Sequence, residues 1–145
     1  MRVSPLADTS GWVDVDQSTL RHKTVAGVYA LGDVCSAASA KTAAATRKQA
    51  PIVAHNLLKD RGIIAAGDAI YDGYGSCPLT VERGKIVLAE LGYGGKLLPS
   101  LPNWLIDGTQ PSRLAWLMKA RILPPLYWKA MLKGKEWLAK PELIN

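Results

Sequence analysis

Two thiols, an acidic strand end and a basic helix start are the residues here whose types and placing can do chemistry. Cys77 stands in YDGYGSCPL, Tyr71 to Leu79, among glycines, a serine and Pro78. Glycine opens backbone conformations that other residues resist, and proline fixes φ and gives up a donor. The expectation is a thiol held by a shaped loop rather than packed on a helix face. Cys35 follows VYALGDV, Val28 to Val34, and its plainer reading is a small buried residue. A strand that stops at Gly32-Asp33 puts a carboxylate at the carboxyl edge of a sheet, where α/β folds bind ligands. Gly32 lets a backbone approach closely, and Asp33 can accept hydrogen bonds from sugar-like hydroxyls. The Ala-rich helix opened by Lys41 and Thr42 aims free N–H groups and a positive dipole end at the same place, which favours an anionic ring or a phosphate. Taken alone, Gly-Asp is explained by a capped turn; followed by this helix it is a sharper signal.

The elements around these residues read as follows. GWVDV alternates as a strand does, and VYAL is a short run of strand character. Helix propensity is strong from Lys41 onward, with Ser39 or Thr42 as cap, a kink or restart at Pro51, and an end at Arg61–Gly62. Pro78–Glu82 and Lys85–Leu91 are predicted strands joined by a tight turn at Arg83–Gly84. Residues 92–110 read as loop. Two helices follow, SRLAWLMKARIL and PPLYWKAMLKGKEWLAK, with the Pro124–Pro125 pair in the first turn of the second.

Composition narrows the function. At 145 residues and 48% hydrophobic, the chain can bury a core and is not generally disordered. Two cysteines make no disulfide scaffold, and MRVSPLADTSGW lacks the apolar run of a signal peptide, so the expected setting is cytoplasmic or otherwise reducing. No segment approaches the ~20 consecutive apolar residues that span a bilayer. His22 and His55 have no companions at metal-ligand spacing, so no metal is expected. The net charge is +6, and residues 111–145 hold seven bases (Arg113, Lys119, Arg121, Lys129, Lys133, Lys135, Lys140) against Glu136 and Glu142, a balance of +5. Leu114, Leu117, Met118, Ile122, Tyr127, Trp128, Met131 and Leu132 fall at helical spacings among those bases, and Trp116, Trp128 and Trp137 are spread along the segment. That pattern fits helices lying in a membrane interface. No nucleic-acid motif accompanies the charge.

VYALGDV followed by KTAAATRKQ resembles the second flavin-binding motif of the pyridine nucleotide-disulfide oxidoreductase superfamily. Within it, GWVDVDQSTLRHK, AKTAAA, YDGYGSCPL, KIVLAELGY and LMKARILPPLYWKAMLKG together resemble the sulfide:quinone oxidoreductases, in order and over nearly the whole chain. The resemblance implies an α/β fold, the carboxyl-terminal portion of a two-dinucleotide-binding-domain flavoprotein with a small β-hairpin region and amphipathic terminal helices. It implies three segments: 1–62 from the FAD-binding domain, 63–110 around the redox cysteine, and 111–145 for membrane association. FAD is the implied cofactor, with Gly32 and Asp33 near its ribityl and phosphate region and Lys41 and Thr42 at the helix start facing the flavin. Cys77 matches the second of two redox cysteines. Sulfide and quinone are the implied substrates, and the place implied is the inner face of a membrane, peripherally.

The departures also set expectations. The early strand with G-x-G-x-x-G that binds the ADP part of FAD is not in this sequence, nor is the first redox cysteine. Leu91 stands where relatives often carry Phe. The chain is therefore expected to be the carboxyl-terminal piece of a longer enzyme, inactive alone, with the amino-terminal half as its partner. Two rival readings are a related quinone-linked FAD enzyme, such as a single-subunit NADH dehydrogenase, and a non-enzymatic basic module for membrane surfaces.

Overall fold

The computed structural model describes residues 4–135 and 140–144, a mixture of helix, small antiparallel sheets and irregular segments. In GWVDV the alternation is real: Val13 and Val15 are buried and Asp14 turns outward. VYAL, however, is extended without joining a sheet. It runs beside the preceding stretch, with Tyr29 bridged to Arg21 and with backbone bonds from His22 N to Val28 O and from Ala30 N to Leu20 O. Both segments are too short to build more. Between them Leu20 holds a left-handed backbone, φ 61°, unusual for a branched residue. Its complete burial offsets the strain, and Asp16 Oδ1 fixes the turn by accepting from the backbone and hydroxyl groups of both Ser18 and Thr19.

Helix α1 spans Ala43–Asp60. Thr42 is the N-cap, its hydroxyl oxygen accepting from Ala45 N at 3.2 Å. Of the kink or restart expected at Pro51, the restart does not occur: the helix runs on through it. Proline in a helix interior costs about 3 kcal/mol, but the helix is held on both sides of it by a buried stripe of Ala45, Gln49, Ile52 and Asn56. At the end, Gly62 N bonds to Lys59 O and Ile63 N to Leu58 O, the paired closure of a Schellman motif.

Asn56 is fully buried and acts as a short piece of ladder. Its Nδ2 donates to Thr19 O and Ala69 O, and its Oδ1 accepts from Ala69 N at 2.9 Å. Ala69 lies in β1 (Asp68–Ile70), so one amide fixes this strand to the helix and to the Leu20 turn. Below it, Arg21 forks onto Asp60 and reaches Asp68, Lys59 also reaches Asp68, and the Tyr29 hydroxyl donates to Asp60. The first core collects Val13, Val15, Leu20, Ala30, Cys35, Ala37, Ile52, Ala69 and Tyr71.

Strands β2 (Gly75–Glu82) and β3 (Lys85–Leu91) form the predicted hairpin, with β2 starting three residues earlier than expected. Ile86 and Leu88 on its inner face pack with Ile106 and Ala115 in a second core, joined by Leu101, Trp116 and Met118. Ala115 belongs to α2 (Arg113–Leu117), which continues through a π-helical turn, Met118–Ile122, into α3 (Leu123–Lys129). The Pro124–Pro125 pair sits in the first turn of α3, as expected. The expected long second helix stops at Lys129 and gives way to a 3-10 turn, Met131–Lys133, with Gly134 left-handed; its part at 136–139 lies outside the described residues. A last strand, β4 (Glu142–Ile144), was not foreseen; it pairs antiparallel with β1.

Replacing Asn56 by Leu keeps the branched shape but leaves buried groups of Ala69 and Thr19 unpaired. At about 1–3 kcal/mol for an unsatisfied buried group, the urea midpoint should fall by the equivalent of about 2–3 kcal/mol with an unchanged slope. Asp60 gives a second expectation. The Arg21 guanidinium beside it holds its carboxyl down at about 2, against 3.8 ordinarily. Its contribution to stability is therefore full above about pH 4 and is lost as pH falls toward 2. The difference in urea midpoint between the native chain and Asp60→Asn should be largest near neutrality and shrink across that acid window.

Candidate functional site

The stretch YDGY is fixed from several sides before β2 begins. Lys48 of α1 pairs with Asp72 at 2.5 Å and lies 5.1 Å from the centre of the Tyr74 ring. The Tyr71 hydroxyl donates to Tyr74 O at 2.6 Å, and its ring meets Tyr93 edge-on at 5.8 Å. Gly73 has φ 82°, and a Cβ there would stand 2.4 Å from the Tyr93 ring. At Gly75 a Cβ would stand 2.9 Å from that of Ala40. These glycines are required by close approach: β2 starts directly against the residues that lead into α1.

Cys77 is therefore on a strand, opposite Ala89, and not in the shaped loop that its neighbours indicated. The glycines shape the entry at 73–75, and the residues after it pair regularly. Pro78 is tolerated because β2 pairs on one side only. Cys77 is exposed, a free thiol on the outer face of the hairpin with Leu79 and Val81. Cys35 is also a free thiol but fully buried, its Sγ donating to Gly32 O at 3.2 Å.

The other expected site residues gather at the amino end of α1. Gly32 opens a 3-10 turn, Gly32–Val34, with φ 69°, and its N–H donates to the buried Gln49 side chain at 2.7 Å. Asp33 in that turn is exposed. Thr42 caps the helix as described. Lys41 is more committed than its sequence position indicated: Nζ donates to Cys35 O and to Ala37 O, lies 4.0 Å from the Cys35 sulfur, and faces the Trp12 ring at 5.1 Å. Two of its three donors thus tie the 35–37 segment to the helix start. Gly32, Cys35, Lys41 and Thr42 are brought together, and Ala40 brings the start of the Cys77 strand to the same end.

Sequence reasoning missed the residues that join these pieces. Gln49 lies seven positions beyond Thr42, on the same helix face, and that spacing was the available signal. Glu90 had no local signal. It is buried and accepts from the Tyr74 hydroxyl at 2.5 Å and from Ser100 N and Oγ, tying the entry of β2 to β3 and the following loop. Burial, with Glu90 second, pushes the Tyr74 hydroxyl up from its ordinary value.

In the tail, Trp116 packs against the second core and is not available as an interfacial anchor. Trp128 is 64% exposed, and Leu114, Leu117, Ile122, Leu123, Tyr127 and Leu132 are exposed with it. Trp137 lies outside the described residues. Among the described residues no helix is long and apolar enough to cross a membrane, and no three acidic, histidine or cysteine side chains are grouped to hold a metal ion.

No protein-family model matches the chain. It is 41% identical over 143 residues to the mitochondrial sulfide:quinone oxidoreductase of Dictyostelium discoideum, covering 98% of this chain and 30% of that protein. It is 38% identical over 137 residues to the protein of that name from Mus musculus, covering 92% and 29%. For Schizosaccharomyces pombe the figures are 36% over 146 residues, covering 97% and 31%. A solved chain in the mitochondrial ATP synthase of Tetrahymena thermophila is similar too, with a TM-score of 0.66 and 25% identity, covering 93% of this chain and 30% of that one. The chain spans about 30% of the length of the curated relatives it matches. With that likeness running through nearly all of its residues, the chain belongs to the sulfide:quinone oxidoreductase family, as the carboxyl-terminal part of such a protein.

Proposed function

We propose that this chain supplies one redox thiol and one side of a flavin site to a sulfide:quinone oxidoreductase. The observation that carries this reading is the contact at Gly75 and Ala40, which sets the strand of an exposed Cys77 against the amino end of α1. Cys77 is the redox thiol, paired with a cysteine of the amino-terminal half. Hydrosulfide attacks the sulfur–sulfur bond of that pair, leaving a persulfide on one cysteine and a thiolate on the other. Bound FAD would supply the two-electron acceptor needed to reoxidise that thiolate with the persulfide, and a quinone taking two protons would be the final acceptor.

The residues present fit such a group. The Ser39 hydroxyl oxygen, just before the helix, is buried without a hydrogen-bond partner. At Gly32, φ is 69° and a Cβ would stand 3.2 Å from the Thr46 hydroxyl, so glycine lets this turn lie close against the first turn of α1. Gly32 and Asp33 line this side of the site, with the Asp33 carboxylate available to sugar-like hydroxyls. Thr42 takes only one of the first-turn N–H groups, and the dipole end of α1 favours an anionic ring. Lys41 adds positive charge while holding the Cys35–Ala37 segment in place. By this reading residues 1–62 belong to the FAD-binding domain, 63–110 carry the redox cysteine, and 111–145 lie on an anionic membrane surface.

The Tetrahymena chain favours a second reading, because a similar fold occurs there inside a large assembly of another kind. In that case the chain is a non-enzymatic module, and its basic tail is the working part.

In the longer protein that carries this chain, Cys77→Ser should lower sulfide-dependent quinone reduction by at least ~10³-fold, the scale of losing an activated nucleophile. Cys35→Ser should retain most of it. Full activity in the Cys77 variant overturns the redox reading. The tail is tested separately: the chain should sediment with vesicles containing phosphatidylserine, and binding should weaken steeply between low and physiological salt. Equal sedimentation with neutral vesicles would remove the electrostatic part of the reading.

A further inference from the structure

Lys119 joins the helical tail to the strand of Cys77. Its Nζ donates to Pro78 O at 3.0 Å and to the Thr80 hydroxyl at 3.2 Å. Pro78 is the residue after Cys77, and it has no N–H, so it cannot exchange both ladder bonds with Leu88 across the hairpin. On an edge strand such a position turns its carbonyl away from the partner and leaves it in need of a donor. Lys119 provides one. It is the second residue of the π-helical turn Met118–Ile122, immediately after α2 has been fixed by Ala115, Trp116 and Met118 against the second core. Around it Leu117, Ile122 and Leu123 stay exposed. The outer face of β2, with Cys77, Leu79 and Val81, is uncovered, so burial does not fix that face of the strand. Two anchors flank the thiol instead: Gly75 against Ala40 on one side, and Pro78 on Lys119 on the other.

We propose that Lys119 is a positioning residue for Cys77, holding the thiol's strand through the Pro78 carbonyl and coupling it to the helical tail. The proposal rests on the reading of Cys77 as the redox thiol for its importance, and on hydrogen-bond geometry alone for the tether.

The test uses a nitroxide label on Cys77 in the whole chain, with peptide mapping to show that buried Cys35 stays unlabelled. Lys119→Met keeps the aliphatic stem and removes the donor; Lys119→Arg keeps a charged donor at the same position. The label should tumble at least twofold faster in Lys119→Met than in the native chain, and Lys119→Arg should restore the native spectrum. A control label at Ala54→Cys, in a Cys77→Ser background, reports on the exposed side of α1 and should not change. The proposal is overturned by a Met variant as ordered as the native chain, by failure of Arg to restore order, or by equal loosening at the control site. A confirmed tether together with undiminished sulfide activity in Cys77→Ser would sink the redox reading and leave the tether standing.

Discussion

Everything at this site hangs from the buried polar stripe of α1. Much of the surrounding chain is irregular, so its backbone groups cannot find partners in long ladders, and buried groups without partners are costly. Gln49 and Asn56 meet that need from one helix face. Gln49 accepts the N–H of Gly32, and Asn56 serves both backbone groups of Ala69 and the carbonyl of Thr19. Because both amides are on one rigid helix, the Gly32 turn and strand β1 are held at a fixed spacing. Apolar residues at the two positions would bury as much surface and still leave those segments unregistered.

The hairpin obeys a different constraint. Its inner face has a core to join, and its outer face presents Cys77, Leu79, Val81 and Leu91 to the outside. Alternation along β2 means that a slip of one residue would bury the thiol and expose its neighbours. Register is thus the property on which the thiol's presentation depends. It is set at the start of the strand by Gly75 against Ala40 and by the Tyr74–Glu90 hydrogen bond. Glu90 lies opposite Ser76, one step from the Cys77–Ala89 pair, so its clasp acts where a slip would begin.

Local chemistry was legible and tertiary commitments were not. The Thr42 cap, the stop at Arg61–Gly62, the Arg83–Gly84 turn and the proline pair opening α3 all depend on residues close in sequence, and the sequence reading places them correctly. Pro51 does not restart the helix because its cost is local, whereas the stripe that outweighs it touches residues far along the chain. VYAL misled because strand character does not say whether a sheet exists to join. From the sequence alone the glycines of YDGYGSCPL indicate a loop. Their actual role is contact with Tyr93 and Ala40, partners 20 and 35 positions away that no local pattern reveals. Lys41 and Thr42 are marked in the sequence by a helix start, and Gly32 by the strand-like run that it ends; Gln49 and Glu90 act at a distance and carry no such mark.

The tail shows how one helix can serve two surfaces. An uninterrupted α-helix of this length would carry a single apolar stripe, and the same residues could not both pack on the hairpin and remain outside. The π-helical turn at Met118–Ile122 changes the phase after α2 has docked. Ala115, Trp116 and Met118 face inward, Lys119 reaches the edge of β2, and Ile122, Tyr127 and Trp128 stay exposed beyond it. The widened turn is stable there because Pro124 and Pro125 need no backbone donors as α3 restarts. The proline pair and the π turn are therefore one device: together they separate a docked half of the tail from an exposed half within a single helical run.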